Sequence, residues 1–316
     1  MKQRSLKFKL LCLTMGLFLL TGLAMTLLQS ASFSTLRGMV VTQTSDALEQ
    51  EVSHSLQYQA ERYAIQIASL MQNSYQIPLT VTAQIEAGMG KPELRLSRPQ
   101  VESLLGSSLQ QASGISSIYA QFEPDGYDGE DGNWLGGASH SVAGKGSMEI
   151  YFTKDQGGAV AQQPVDAAAS EAKFDTSLNE FGIRNSEWYL CGRDTRQPCL
   201  MEPYLYEISP GNKMLMTSLT VPILHDGKFV GLAGVDMNLP IFQQLAETLG
   251  KSLYDNKADV TMVSKMGLIV GSNRYADKLG RPLKEVGLTL PTGQAVSSDS
   301  DFILQQPIRI EAANAQ

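Results

Sequence analysis

Apolar residues change their spacing twice along the chain, and each change marks a different kind of element. Residues 10–28 run for nineteen positions without a charge. At about 1.5 Å per residue that length matches a bilayer hydrocarbon core of about 30 Å, so a transmembrane helix is expected over residues 10–29. Beyond it, apolar residues recur every three or four positions at Leu48, Val52, Leu56, Ala60, Tyr63, Ile67 and Leu70. That is one face of a long amphipathic helix, expected over residues 30–76 with a break at Pro78. Two shorter helices should follow at residues 80–87 and 98–112, the second with Ser97 as N-cap and Pro99 in its first turn.

The period then changes to two. Residues 115–122 and 148–152 are rich in β-branched and aromatic side chains and bounded by Gly, Asp and Pro, so they read as strands on either side of a turn-rich insertion. Residues 204–208, 213–224 and 229–236 add three more, joined by turns at Pro210-Gly211-Asn212 and His225-Asp226-Gly227-Lys228. Consecutive strands with short turns imply an antiparallel meander. A helix over residues 240–249 closes this module. A strand pair at 259–263 and 267–271 opens a second module, incomplete at Gln316. The expected class is α+β, with a long N-terminal helix ahead of two modules of antiparallel sheet. The domain boundaries follow: a tail over residues 1–9, the membrane helix, the long helix, a first module over 77–249 and a second over 250–316.

Charge gives the direction of the membrane helix. The chain carries 25 Lys+Arg against 32 Asp+Glu, a net charge of −7 that excludes a broad nucleic-acid-binding surface. Four of the cations are Lys2, Arg4, Lys7 and Lys9, with no acid among them. They should stay cytoplasmic, placing everything after Gln29 outside in the periplasm or its equivalent. A cleaved signal peptide fits less well, because its apolar core would be shorter and Leu28-Gln29-Ser30 lacks the small residues of a cleavage site. Export puts Cys191 and Cys199 in an oxidising compartment, where a disulfide is expected. A metal pair is the alternative, but no further Cys or His lies near in sequence to complete it.

Catalytic patterns are absent. There is no G-x-S-x-G, H-E-x-x-H or G-x-G-x-x-G. Ser139–Gly146 approaches a phosphate loop but has Ser at the first Gly position and Gly after Lys145. The histidines His54, His140 and His225 are scattered. The acidic run Asp125–Asp131 fails the calcium-loop spacing and reads as a solvated turn region. No enzyme activity, cofactor or metal is expected.

Trp188, Tyr189, Tyr204, Tyr206 and Asp236 cluster in a chain that is only 7% aromatic. Asp236 ends the apolar run 229–235, and by alternation shares a face with Gly234 and Leu232, a face Gly234 leaves open to a close-approaching group. A buried carboxylate there needs a partner, and a bound ammonium held between aromatic walls would serve. The same residues also read as core aromatics around a helix-capping or lysine-paired aspartate.

The residues Trp188-Tyr189, Glu202-Pro203-Tyr204 and Val230-Gly231-Leu232-Ala233-Gly234-Val235-Asp236-Met237-Asn238-Leu239, behind a membrane segment and a long helix, resemble the double Cache sensor domain of bacterial methyl-accepting chemotaxis proteins. The resemblance implies two PAS-like modules, the distal one binding a small solute. It also implies a homodimer through the long helix and a signal passed down that helix to a cytoplasmic output. It makes Trp188, Tyr189 and Tyr204 pocket residues, with Tyr119 from the first strand, and gives Asp236 a ligand amino group. Two positions depart from the amino-acid-binding pattern. Ser186 stands where that subfamily has a carboxylate-gripping Arg, and Tyr206 where it has a second Asp. Arg184, Arg193 or Arg196 could replace the clamp. The expected ligand is therefore a small nitrogen-containing solute, an amine or amino acid-like compound. A histidine kinase or diguanylate cyclase output is the alternative, and a membrane-tethered hydrolase a remote one.

Overall fold

The computed structural model describes residues 6–155, 157–209, 212–253, 258–288, 296–298 and 301–303. The chain divides into two compact units, Met1–Tyr63 with Gly293–Gln306, and Ala64–Thr292 with Pro307–Gln316. The first contains most of helix α1 (Leu6–Gly88) and a two-stranded ribbon, Val296–Ser298 with Asp301–Ile303. Among the described residues α1 alone is long and apolar enough to cross a membrane. In its apolar stretch the hydroxyls of Thr14, Thr21 and Thr26 turn back onto the carbonyls of Leu10, Leu17 and Leu23 at 2.9–3.2 Å. These hydroxyls are thus all partnered within the helix, as a span through hydrocarbon would require.

Pro78 does not break α1, against the sequence expectation. An interior proline removes one hydrogen bond and crowds the preceding turn. Here Pro78 is buried, and Tyr75, Val81 and Ile85 around it all pack into the main core. Tertiary burial of that face outweighs the lost bond, so the expected separate helix at 80–87 is the last two turns of α1.

In the second unit, α2 (Arg98–Gln111) begins at Ser97, whose N–H donates to the Gln100 side chain at 2.7 Å. Then come β1 (Ser117–Phe122), β2 (Glu149–Lys154), β3 (Val160–Gln163), α3 (Ala167–Ala172) and α4 (Glu187–Thr195). They are followed by β4 (Cys199–Leu200), β5 (Tyr204–Ser209), β6 (Asn212–His225), β7 (Lys228–Asn238) and α5 (Leu239–Ser252). One antiparallel sheet runs β3-β2-β1-β7-β6-β4, with β5 also on β6. The β6–β7 hairpin turns through Asp226 and Gly227, both at positive φ, as a two-residue hairpin requires. The Pro210-Gly211 part of the expected turn before β6 lies outside the described residues. A second, two-stranded sheet, β8 (Thr261–Val263) and β9 (Ile269–Ser272), follows α5.

Alternation gives the large sheet two unlike faces. Ile118, Ala120 and Phe122 of β1, Ile150 of β2, Leu219, Val221 and Ile223 of β6, and Ala233, Val235 and Met237 of β7 join one core with α1 and α2. The other face carries Ser117, Tyr119 and Gln121 beside Gly234 and Asp236. Short α3 and α4 belong to the connections that cover it, while β3 and β4 extend the sheet at its edges; none of these four was read from the sequence.

The acidic run is not a solvated turn region. Arg98, with a side chain only 1% exposed, grips Asp128 with Nε and Nη2 at 2.9 and 2.6 Å and Asp131 at 2.7 Å. Its remaining N–H groups reach Ser141 Oγ and the Gly146 carbonyl. Five donors meet five acceptors, so the 125–146 loops are folded around one guanidinium. Those two carboxylates are engaged by Arg98, and among the described residues no group of His, Cys, Asp and Glu is arranged to hold a metal ion.

Candidate ligand-binding site

The site is built from a three-strand ladder. Register places Ser117 on β1 and Ser218 on β6 directly opposite Asp236 on β7. Ser218 Oγ donates to one carboxylate oxygen at 2.5 Å and Ser117 Oγ to the other. The Tyr204 hydroxyl meets Ser218 Oγ at 2.6 Å, extending the chain. Asp236 is 2% exposed.

Around this carboxylate the polar face closes a cavity of about 10 Å3. Its walls are Tyr119 and Gln121 of β1, Tyr151 of β2, Trp188 of α4, and Tyr204 and Tyr206 of β5. The rings meet edge to face: Tyr119 against Trp188 at 5.4 Å, Tyr151 against Tyr206 at 6.1 Å, Tyr204 against Tyr206 at 6.3 Å. The Tyr119 and Tyr151 hydroxyls and Gln121 Oε1 are buried without a hydrogen-bond partner. Gly234 is explained by Tyr119: a Cβ at 234 would stand 2.4 Å from the ring. The close-approaching group expected over Gly234 is thus a wall of the cavity itself.

Electrostatics follow from burial. Desolvation pushes Asp236 up to about 6, opposed by the two serine hydrogen bonds. Burial, together with the nearby Asp236 charge, raises Tyr119, Tyr151 and Tyr204 well above an ordinary phenol and Tyr206 to about 12. The tyrosines are neutral at pH 7. Among the described residues no Lys, Arg or His lines the cavity. Since an ionised carboxylate has about four acceptor positions and two are used by serine, it retains capacity for a donor that bears positive charge.

Of the residues singled out in the sequence, Tyr119, Trp188, Tyr204, Tyr206 and Asp236 come together here. Tyr189 does not line the cavity; fully buried, it donates to Glu123 at 2.9 Å and packs between Phe174 and Phe229, with the Lys173 ammonium 5.2 Å from its ring. Lys173 itself is buried against Glu149 at 2.8 Å, tying α3 to β2. Cys191 and Cys199 form a disulfide. None of the three candidate arginines reaches the cavity: Arg184 is held by Glu187 and Asp194, Arg193 by Asp194, and Arg196 is an exposed helix C-cap. Ser186, at the clamp position, is buried with its hydroxyl on the Ala172 carbonyl. Ser117, Gln121, Tyr151 and Ser218 were not read from the sequence, though alternation from Tyr119 reaches the first two and alternation from Asp236 gives no access to the others.

A larger open groove of about 430 Å3 lies elsewhere, between Phe181 and the segment from Met266 to Leu288. It has no comparable convergence of buried polar groups.

The family model for methyl-accepting chemotaxis protein-like proteins, first PDC sensor domain, matches residues 101–244. In sequence these residues are therefore similar to the first PDC sensor domain of chemoreceptor-like proteins. All cavity-lining residues fall within the matched segment. The chain is 27% identical over 278 residues to the methyl-accepting chemotaxis protein TlpQ of Pseudomonas aeruginosa, which covers 86% of this chain and 38% of TlpQ. It therefore spans well under half the length of that relative. Among solved structures, the sensor domain shares its fold with methyl-accepting chemotaxis protein X at a TM-score of 0.59 and 20% identity, over 85% of this chain and 96% of that one. It also resembles the ligand-binding domain of the P. aeruginosa PAO1 amino acid chemoreceptor PctC, solved with GABA, at a TM-score of 0.50 and 15% identity, over 82% and 93% of the two chains.

Proposed function

We propose that this chain is the extracytoplasmic sensing region of a transmembrane chemoreceptor and that its cavity takes a small organic cation, held through protonated nitrogen on Asp236. The observation that carries this reading is a buried carboxylate whose hydrogen-bond partners among the described residues are serine hydroxyls, lined by tyrosines and a tryptophan, with no described cation in the lining. A protonated amine supplies the missing charge and its N–H groups fit the remaining carboxylate positions, while ring faces add about 0.5–2 kcal/mol of cation–π attraction. The ligand of PctC, GABA, carries a carboxylate as well. Among the described residues the lining holds no cation to pair with one, so a simple amine is favoured over an amino acid. A cavity of about 10 Å3 is filled by a single water-sized group, so an amine enters as the edge-to-face rings of Trp188 and Tyr206 turn aside.

In this reading the four N-terminal cations stay inside, the sensing region lies in the periplasm, and occupancy shifts helix α1 within a homodimer. The domain itself performs no chemistry. Calorimetric titration of the full chain in lipid nanodiscs with butylamine, benzylamine, tetramethylammonium and alanine tests the reading. Binding of the primary amines, lost in Asp236→Ala, is expected. Tight binding of alanine with no response to the amines, or amine affinity unchanged in Asp236→Ala, rules it out.

A further inference from the structure

The disulfide sits where it can set the geometry of the cavity as well as the stability of the fold. Cys191 lies on α4 three residues after Trp188, so both project from the same side of one helix. Cys199 opens β4, which pairs with β6 through Cys199–Thr220 and Leu200–Leu219. The next residue, Met201, donates its N–H to the Ser218 carbonyl at 2.9 Å and accepts from Thr217 Oγ1. Ser218 is the residue that hydrogen-bonds both Asp236 and Tyr204. The two half-cystines and Met201 form a small buried cluster whose outer layer is Trp188 and Tyr204, two walls of the cavity.

Helix α4 is anchored at its middle by buried Tyr189 and Leu190, and the disulfide adds the one covalent tie beside Trp188. The helix is nine residues long, its N-cap Ser186 makes no capping hydrogen bond, and it ends at Arg196 in a left-handed conformation. A helix this short is marginal without tertiary ties. Its ion pairs, from Arg184 and Arg193, are partly exposed and worth little. The covalent tie joins the helix bearing Trp188 to the strand that abuts Ser218, beside the cavity.

We propose that the Cys191–Cys199 disulfide is a positioning element of the ligand site: it holds Trp188 in edge-to-face contact with Tyr119, and ligand affinity depends on it. The proposal rests on the amine reading for its effect on affinity, but the placement of Trp188 is measurable without any ligand. The chain has two tryptophans, Trp134 and Trp188. Trp134 lies beside Arg98 and His140, outside the cavity, so a Trp134→Phe background leaves Trp188 as the reporter.

In that background, the full chain in nanodiscs is compared with the Cys191→Ala/Cys199→Ala and Cys191→Ala/Cys199→Val variants, the latter refilling the buried space. Folded sheet content is expected to persist in the variants, with acrylamide quenching of Trp188 rising about twofold as local opening of α4 becomes easier. The Kd for benzylamine should rise about tenfold, as expected when one aromatic wall is no longer fixed. Unchanged quenching and unchanged affinity in folded variants overturn the proposal. Loss of fold in both variants also overturns it, since the bond is then a requirement of folding rather than of placement. Increased quenching in a chain whose disulfide-bonded form binds no benzylamine upholds the placement and instead refutes the amine reading.

Discussion

A buried carboxylate that accepts its hydrogen bonds from neutral serine hydroxyls is held in the fold at a cost, and Asp236 is such a group. Its folded-state value near 6 lies above the ordinary 3.8, so ionisation is harder in the folded than in the unfolded chain. Below about pH 4 both states carry the proton and Asp236 has no effect on stability. Between about pH 4 and 6 the unfolded state ionises first and stability falls, and above 6 the loss is complete at about 3 kcal/mol. Asp236→Asn keeps the side-chain shape and removes the charge. It should melt several degrees above the parent chain at pH 7.5 and together with it at pH 3.5, while losing amine binding. A variant that melts lower at pH 7.5 in scanning calorimetry would contradict this account. The same linkage gives the ligand a pH dependence. The Kd for butylamine should be flat above pH 7 and rise about tenfold per unit below about 6, because the neutral acid has no charge to offer. An affinity constant down to pH 4.5 would exclude Asp236 as the anchor. Gly234 makes a sharper steric case. Gly234→Ala puts a methyl into the Tyr119 ring, and the displaced wall should cost about 1–3 kcal/mol in urea denaturation as well as weakening binding.

Elements differ in how far the sequence reveals them, and the reasons are physical. Strands β1, β2, β6 and β7 are legible because each buries one face in the core with α1 and α2, which imposes period-two patterning, and β5 because its alternate residues Tyr204 and Tyr206 face the aromatic clusters. The same pattern made Asp236 conspicuous, as an acid closing an apolar run. Tyr151 and Ser218 were not legible as site residues, because their role depends on cross-strand register, which pairs Tyr151 with Tyr119 and Ser218 with Asp236. Helix α4 escaped because nine residues without a strong cap carry too little periodicity. Pro78 misled because the local rule it follows is outweighed by burial of its neighbours. The acidic loop misled in the opposite direction: turn-forming residues are usually solvated, and only the position of Arg98 at the start of α2 makes Asp128 and Asp131 interior. That arrangement has a measurable consequence. Arg98→Met leaves two largely buried carboxylates unpaired and should lower unfolding free energy by about 3–5 kcal/mol. A loss under about 1 kcal/mol would mean the loop stands without its guanidinium.

For the molecule as a whole the question is what a ligand at Asp236 can move, and the second unit contains a short physical route. Ser116, just ahead of β1, donates its N–H to the Asp236 carbonyl at 2.8 Å and its hydroxyl to Asn238 at 2.6 Å. Asn238 is the N-cap of α5, so that helix is capped two residues after Asp236. One face of α5 inserts Phe242 into the main core. The other docks on β9, where the Gln243 amide pairs with both backbone groups of Ser272, accepting from its N–H at 2.9 Å and donating to its carbonyl at 2.8 Å. Gly271 lets the helix sit that close, since a Cβ there would lie 2.6 Å from the Phe242 carbonyl. A side chain that imitates a strand partner transmits displacement better than apolar contact, because its two hydrogen bonds fix register as well as distance. Ligand-dependent repositioning of β7 should therefore reach β9 through α5. Amide hydrogen exchange measured on the full chain with saturating butylamine is expected to slow at Gly271, Ser272 and Asn273. Gln243→Ala should abolish that protection while leaving the butylamine Kd within about twofold, since Gln243 touches no cavity residue and distant sites act nearly independently. If protection at β9 survives in Gln243→Ala, the coupling runs elsewhere, and the continuous helix α1 becomes the element to test.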